Sequence, residues 1–295
     1  MTNGIVYFFI FIFGAIIGSF LNVVILRHNT GAGFVRRSFC FSCGKKLSWR
    51  ELIPIASFVF QKGRCRECGG KISWQYPIVE FLSGLLFIAV FWKIGVPASA
   101  GNTIFNFLFF DPELNVEGQF SIFNVASLFY YFLTFSLLLV IAVYDIRHKI
   151  IPDQFVYIFI ALAFLNVFEI WSASWQMEFG IWFAAGPLLA LPLALFWFVS
   201  GGRWMGFGDA KLMIGIGWLL GLEKGIVSLL ISFWAGAIFS VVFLAAGRFT
   251  RLSQGGKSPT IKSEIPFAPF LIAGALTVFL FDISFYNIEL LFSIF

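Results

Sequence analysis

The sequence predicts an all-α polytopic membrane protein of about eight transmembrane helices, with a small cytoplasmic four-cysteine loop of zinc-ribbon type. Three features carry that prediction. Of 295 residues, 60% are hydrophobic and only 12% are charged, about half the charged share of a water-soluble globule. The apolar residues fall in long, nearly uncharged runs, the mark of an integral membrane protein. The cations between those runs crowd onto one side, as membrane insertion requires.

The first run, residues 4–26, has no lysine or arginine before it and no small-residue cleavage motif after it. It therefore reads as a retained anchor rather than a signal peptide. Seven further segments follow at 76–95, 121–143, 154–172, 179–200, 209–222, 225–246 and 266–284. Most reach the length of about 20 residues that crosses a bilayer core; the sixth is short and glycine-rich. Residues 286–295 read as an additional interfacial piece. Of the 20 lysines and arginines, 18 lie in 27–75, 144–153, 201–211 and 247–265, leaving only Lys93 and Lys224 on the other side. The positive-inside rule then places those four loops in the cytoplasm and both termini outside. Residues 96–120, without a basic residue, read as an external loop, and 248–264 as a flexible cytoplasmic connection.

All four cysteines lie in the first cytoplasmic loop, as CFSC (40–43) and CREC (65–68), a C-x2-C-x21-C-x2-C pattern. Each pair is followed by glycine, giving the small repeat CFSCGKKLSW and CRECGGKISW. The short spacing turns both sulfurs of a pair toward one cation, and glycine permits the tight turn behind them. Cys40, Cys43, Cys65 and Cys68 are thus expected to bind one structural zinc ion. The rival reading, two disulfides, conflicts with a reducing cytoplasm. A closed four-thiolate site leaves no open coordination position, so this zinc is not expected to be catalytic. The ten cations of the loop are explained by the positive-inside bias and by anionic lipid headgroups, without nucleic acid.

Few acids lie near the hydrophobic segments. Glu80 is close to the start of the second, Asp145 ends the third, Asp153 opens the fourth and Asp209 opens the sixth. Asp153 follows Pro152 and suits a helix N-terminus. Glu80 could reach for the interface. Asp145 with Arg147, and Asp209 with Lys211, could be boundary ion pairs. Against that bland reading, Gly206 and Gly208 flank Phe207 just before Asp209, and absent side chains admit a close backbone approach. Two carboxylates brought together share a proton. One can then act as base on a water while the other donates to a scissile carbonyl. A proton-coupled transporter relaying through Asp145 and Asp209 is the competing reading. A membrane-anchored zinc-ribbon binding protein is a third, but it leaves the GFGD stretch unexplained. No Ser/His/Asp set competes, since the only histidines are His28 and His148.

Five stretches in order, GSFLNVVILR (18–27), the paired C-x2-C knuckles, ISWQYPIVE (72–80), YDIRHKIIPD (144–153) and GFGDAKLM (206–213), resemble the type 4 prepilin leader peptidase/N-methyltransferase family. The resemblance implies a GxGD-type membrane aspartyl protease with Asp145 and Asp209 as its catalytic pair. Gly206, Gly208, Lys211, Glu80 and Asp153 fall on motif positions around them. It implies cleavage of a short basic leader from prepilins and pseudopilins, after a glycine, near the cytoplasmic membrane boundary. It further implies methylation of the new N-terminal phenylalanine by S-adenosylmethionine, in type IV pilus biogenesis or type II secretion. The cysteine loop resembles that of bifunctional members, where it is linked to a metal and to methylation. One departure is His28, where proline is common. The expected organisation is 1–120 with two transmembrane helices and the cysteine loop, 121–246 as the peptidase core, and 247–295 as a basic loop and last helix. The expected partners are prepilins, pseudopilins and the lipids of a bacterial inner membrane, with no nucleic acid.

Overall fold

A computed structural model describes residues 2–30, 37–94, 122–173, 178–254 and 265–285. Among these, β pairing is confined to two isolated bridges, Phe39 with Lys46 and Arg64 with Lys71. The rest of the regular structure is helical: α1 (Thr2–Arg27), a 3-10 turn (Trp49–Leu52), α2 (Ala56–Phe60), α3 (Gln75–Ile94), α4 (Ile122–His148), α5 (Asp153–Ala173), α6 (Glu178–Ser200), α7 (Phe207–Leu220), α8 (Leu222–Gln254) and α9 (Ala268–Phe281). Each apolar segment of the sequence corresponds to one of these helices. Five stretches are long and apolar enough to cross a membrane: Gly4–Arg27, Gln75–Ile94, Val125–His148, Gly180–Ser200 and Leu222–Phe243. The external loop expected at 96–120 and the interfacial piece at 286–295 lie outside the described residues.

Two expectations are corrected. The connection expected to be flexible from residue 248 continues α8 as far as Gln254, because RFTRLSQ contains neither glycine nor proline to stop the helix. Asp209 does not open its helix, since α7 begins at Phe207 and the acid sits within the first turn. With 14 residues, α7 is about 21 Å long, short of the roughly 30 Å hydrocarbon core.

The chain divides into two compact units, Met1–Val140 and Ile141–Phe295. In the first, α1 and α3 form the dominant pair. A Cβ at Gly14 or Gly18 would stand 2.8–2.9 Å from Ser83, Gly84, Phe87 or Glu80 atoms of α3. These glycines, four residues apart, bring the helix backbones together as small residues do in membranes. The side-chain amide of Asn22 adds a hydrogen bond to the Tyr76 carbonyl at 3.2 Å.

In the second unit α7 is held between α5 and α6. Its Gly215 faces the Phe159 ring, and its Gly217 faces the Ala185 carbonyl. Polar contacts fix it at both ends. Near the start, Lys211 Nζ lies 2.8 Å from Asp153 Oδ1 at the start of α5. At the far end, the Asn166 amide donates to the Trp218 and Leu219 carbonyls at 3.4 and 3.2 Å. Helices α5 and α7 therefore run in the same direction. One residue, Gly221 at φ +80°, joins α7 to α8. The start of α8 is tied to the end of α9 by the Lys224–Asp282 ion pair and by the Phe285 N–H donating to Glu223 at 3.0 Å. Lys224, a cation outside the basic loops, thus has an acidic partner.

Candidate active site and cysteine centre

Asp145 stands in the last turn of α4, whose end is marked by Lys149 at φ +55° with its N–H on the Asp145 carbonyl at 2.7 Å. The Asp145 side chain is turned inward, with only 4% of the residue exposed, and Asp209 is 6% exposed. Sixty-four positions separate them in sequence, yet the two carboxyl groups lie close enough for their charges to interact.

Two helix starts face this pair. The backbone N–H of Ala268, first residue of α9, is directed at the Asp145 carboxylate. The N–H of Gly206, the residue capping α7, is directed at the Asp209 carboxylate. The second contact is half of a capping box, an acid at the third helical position reaching back to the cap N–H. Helix N-termini favour negative charge through their free N–H groups and dipoles. The pair is thus buried but set where one negative charge is tolerated. Asp209 Oδ1 is buried without a hydrogen-bond partner among the described residues.

The glycines of GFGD have separate reasons. A Cβ on Gly208 would lie 2.9 Å from the Ile151 Cβ, so a side chain there would force α7 away from the 149–152 turn. Gly206 has ordinary extended backbone, φ −74° and ψ 147°. Its nearest obstacle to a Cβ is the Asp209 carboxylate itself, 3.8 Å away. Glycine at 206 therefore leaves space beside the acid rather than relieving strain.

The expected boundary partner of Asp209 is engaged elsewhere. Lys211 binds Asp153 and lies over the Tyr157 and Phe207 rings, 5.3 and 5.4 Å from their centroids. Both residues position α7. Asp153 starts α5, as its place after Pro152 suggested.

Glu80 belongs to the first unit and does not reach for the interface: it is buried. Its Oε2 accepts the Ile55 N–H at 2.7 Å, and the Ser19 hydroxyl also serves it. Ile55 is strained, at φ 59° and ψ −53°, where a β-branched residue is rarely found. The Ala56 N–H bonds to the Pro54 carbonyl across it, closing a γ-turn of the unfavourable hand. Glu80 clamps that turn onto α3.

The two cysteine knuckles are structural copies. The Cys40 and Cys65 N–H groups bond the Lys45 and Gly70 carbonyls at 2.8 Å, and Gly44 and Gly69 N–H groups return to Cys40 and Cys65 at 2.8 and 2.9 Å. Lys45 of the first knuckle pairs with Glu67 of the second at 2.6 Å. All four sulfurs lie within 4.8 Å of one another, with Cys40 and Cys68 at 3.9 Å, and none is in a disulfide. A tetrahedron with metal–sulfur distances of about 2.3 Å has edges of about 3.8 Å, so the four cysteines fit one metal ion. Backbone N–H groups of Cys43 and Ser42 hold the Cys40 thiol down at about 6, whereas Cys43, despite the Lys45 N–H, is pushed up to about 11 by burial and by the Cys40 and Cys68 sulfurs.

Sequence reasoning missed Ala268, Ile151, Asn166 and Ile55. Pro266 and Pro269, bracketing the start of α9, marked a helix N-terminus, but nothing in the pattern aimed it at Asp145.

The profile of the bacterial peptidase A24 N-terminal domain matches residues 12–94, and that of the type IV leader peptidase family matches residues 132–241. A prepilin leader peptidase/N-methyltransferase of Bacillus subtilis (strain 168) is 30% identical over 281 residues, 94% of this chain and 96% of the relative. The chain belongs to the type IV leader peptidase family. Family proteins of the same name from Stutzerimonas stutzeri and Pseudomonas aeruginosa are 28% and 27% identical, covering 89% and 88% of this chain and 86% of each relative. No solved structure matches the chain. A transporter relay finds no support among these family members. The family profile covering 132–241 includes both Asp145 and Asp209.

Proposed function

We propose that this protein is a membrane aspartyl endopeptidase that removes the basic leader from type 4 prepilins and pseudopilins, with Asp145 and Asp209 as its catalytic pair. It further methylates the new N-terminal phenylalanine from S-adenosylmethionine. The observation that carries the peptidase reading is a pair of buried carboxyl groups within range of each other's charge, Asp145 facing the start of α9 and Asp209 in the first turn of α7. Like charges so placed share one proton. The ionised member takes a proton from water, whose oxygen attacks the scissile carbonyl; the protonated member donates to the carbonyl oxygen. Collapse of the tetrahedral intermediate sends a proton to the leaving amine. The partnerless Oδ1 of Asp209 and the open side of Gly206 are where this reading seats the reacting groups.

Five membrane-length apolar helices and the family support an inner-membrane location. The loop cations support a cytoplasmic cysteine loop and external termini. The four cysteines would hold a structural zinc ion, joining the two knuckles. Methyl transfer rests on the relatives' shared name, and no residue is assigned to the methyl donor.

The test is incubation of the detergent-purified protein with a prepilin, with and without S-adenosylmethionine, read by mass spectrometry. Loss of the leader in both arms is expected, and a further methyl mass only with the donor. An intact prepilin in both arms would refute the peptidase reading.

A further inference from the structure

The segment between the two knuckles has no part in the proposed chemistry, yet it lines a cavity of about 840 Å³. Helix α2 and the second knuckle form one side, and the first turns of α3 the other. The Phe58 and Trp74 rings, centroids 4.8 Å apart, make an aromatic wall. Ile78, Phe81 and Leu82 make the floor. Lys62, Arg64 and Lys71 stand at the rim, and no acid lines the cavity. The bridge between Arg64 and Lys71 sets two of these cations side by side.

The floor is the key to the occupant. Ile78, Phe81 and Leu82, followed by Leu85, are all exposed at the i, i+3, i+4, i+7 spacing of one helix face. They lie on the membrane-length helix Gln75–Ile94, so this face meets acyl chains. The cavity therefore opens along a lipid-facing stripe, with its cations at the helix start. The wall itself carries an apolar group unsuited to water, for Trp74 is 69% exposed. Tryptophan favours the membrane interface, and cations there attract anionic headgroups.

We propose that this groove is a binding site for one anionic phospholipid, with its phosphate between Lys62, Arg64 and Lys71 and an acyl chain along Trp74, Ile78, Phe81 and Leu82. Glu80 builds the site by holding Ile55, a lining residue, against α3. Charge decides against the methyl donor here: its sulfonium would meet three cations and no carboxylate.

Native mass spectrometry of the full-length protein in neutral detergent tests this, titrating phosphatidylglycerol against phosphatidylcholine of the same chains. One phosphatidylglycerol should be retained preferentially. Lys62→Gln, Arg64→Gln and Lys71→Gln should each weaken retention about fivefold, and the triple variant about a hundredfold. A variant with the same charge loss elsewhere in the loop, K46Q/R50Q/R66Q, should stay within about threefold of the parent. The single variants keep the test valid should the triple variant not fold. Equal retention of both lipids, equal weakening by the two triple variants, or displacement by free glycerol phosphate or S-adenosylmethionine would overturn the proposal.

Discussion

Asp209 has one side of its carboxylate turned to the Gly206 N–H and an Oδ1 that no described residue serves. A buried unpartnered oxygen costs about 1–3 kcal/mol, and on the proposed reading the reacting water is its partner. Asp145→Asn and Asp209→Asn should therefore each lower leader cleavage by about 10²–10⁴-fold, while the protein still inserts into membranes. Full cleavage by either purified variant would remove the pair from the mechanism. A shared proton also requires a bell-shaped dependence of kcat/KM on pH, since loss or gain of that proton stops the reaction; a rate flat from acid to strongly alkaline pH would contradict it. The two glycines separate activity from packing. Gly208→Ala places a methyl 2.9 Å from the Ile151 Cβ and should destabilise by about 1–3 kcal/mol, seen as a lower thermal midpoint. Gly206→Ala meets no such neighbour and should keep the midpoint but slow cleavage by crowding the Asp209 carboxylate. If both variants melt alike and cut alike, the distinction between them fails.

Helix α7 carries Asp209, and its setting depends on contacts at both ends. Apolar packing alone would let a smooth helix slide among its neighbours. Asp153–Lys211 at one end and Asn166 on the Trp218 and Leu219 carbonyls at the other prevent that. The ion pair is largely exposed on its Asp153 side and contributes little to stability. The amide contact matters more, because α7 is short and its last carbonyls need a donor. Asn166→Leu should cost about 1–3 kcal/mol and lower cleavage through displacement of Asp209; an unchanged thermal midpoint in detergent would sink this account. The apolar helices themselves were legible in the sequence, since hydropathy reports burial in lipid or protein alike. Their neighbours were not, for the same reason: lipid and a second helix are equally apolar, so composition cannot say that α7 lies between α5 and α6. The two aspartates stood out because charge is costly at such boundaries. The approach of Ala268 to Asp145 did not, because a backbone N–H leaves no mark in a side-chain pattern. The choice of Asp153 by Lys211 was hidden too, since Asp209 was nearer in sequence.

At the scale of the whole molecule, the chain separates its tasks by unit. The acid pair with its supporting helix starts lies within Ile141–Phe295, and the cysteine knuckles with Glu80 lie within Met1–Val140. The purified protein should contain one zinc per chain by elemental analysis, lost when Cys40 and Cys43 are both replaced by serine; a metal-free parent with intact thiols would count against the site. The repeat CFSCG and CRECG made this centre readable, because sequence spacing fixes the geometry of a turn. The clamp of Glu80 on Ile55 was not readable, because it joins positions 25 apart through a strained peptide that no residue preference announces. The brevity of α7 carries one more consequence. A rod of about 21 Å whose far tip is capped by the Asn166 amide of α5 cannot slide along that membrane helix without stripping the cap. On the proposed reading the blade is therefore held at a constant altitude in the membrane. The scissile bond would be chosen by how deep the incoming peptide sits, and the identity of its neighbouring side chains would count for less.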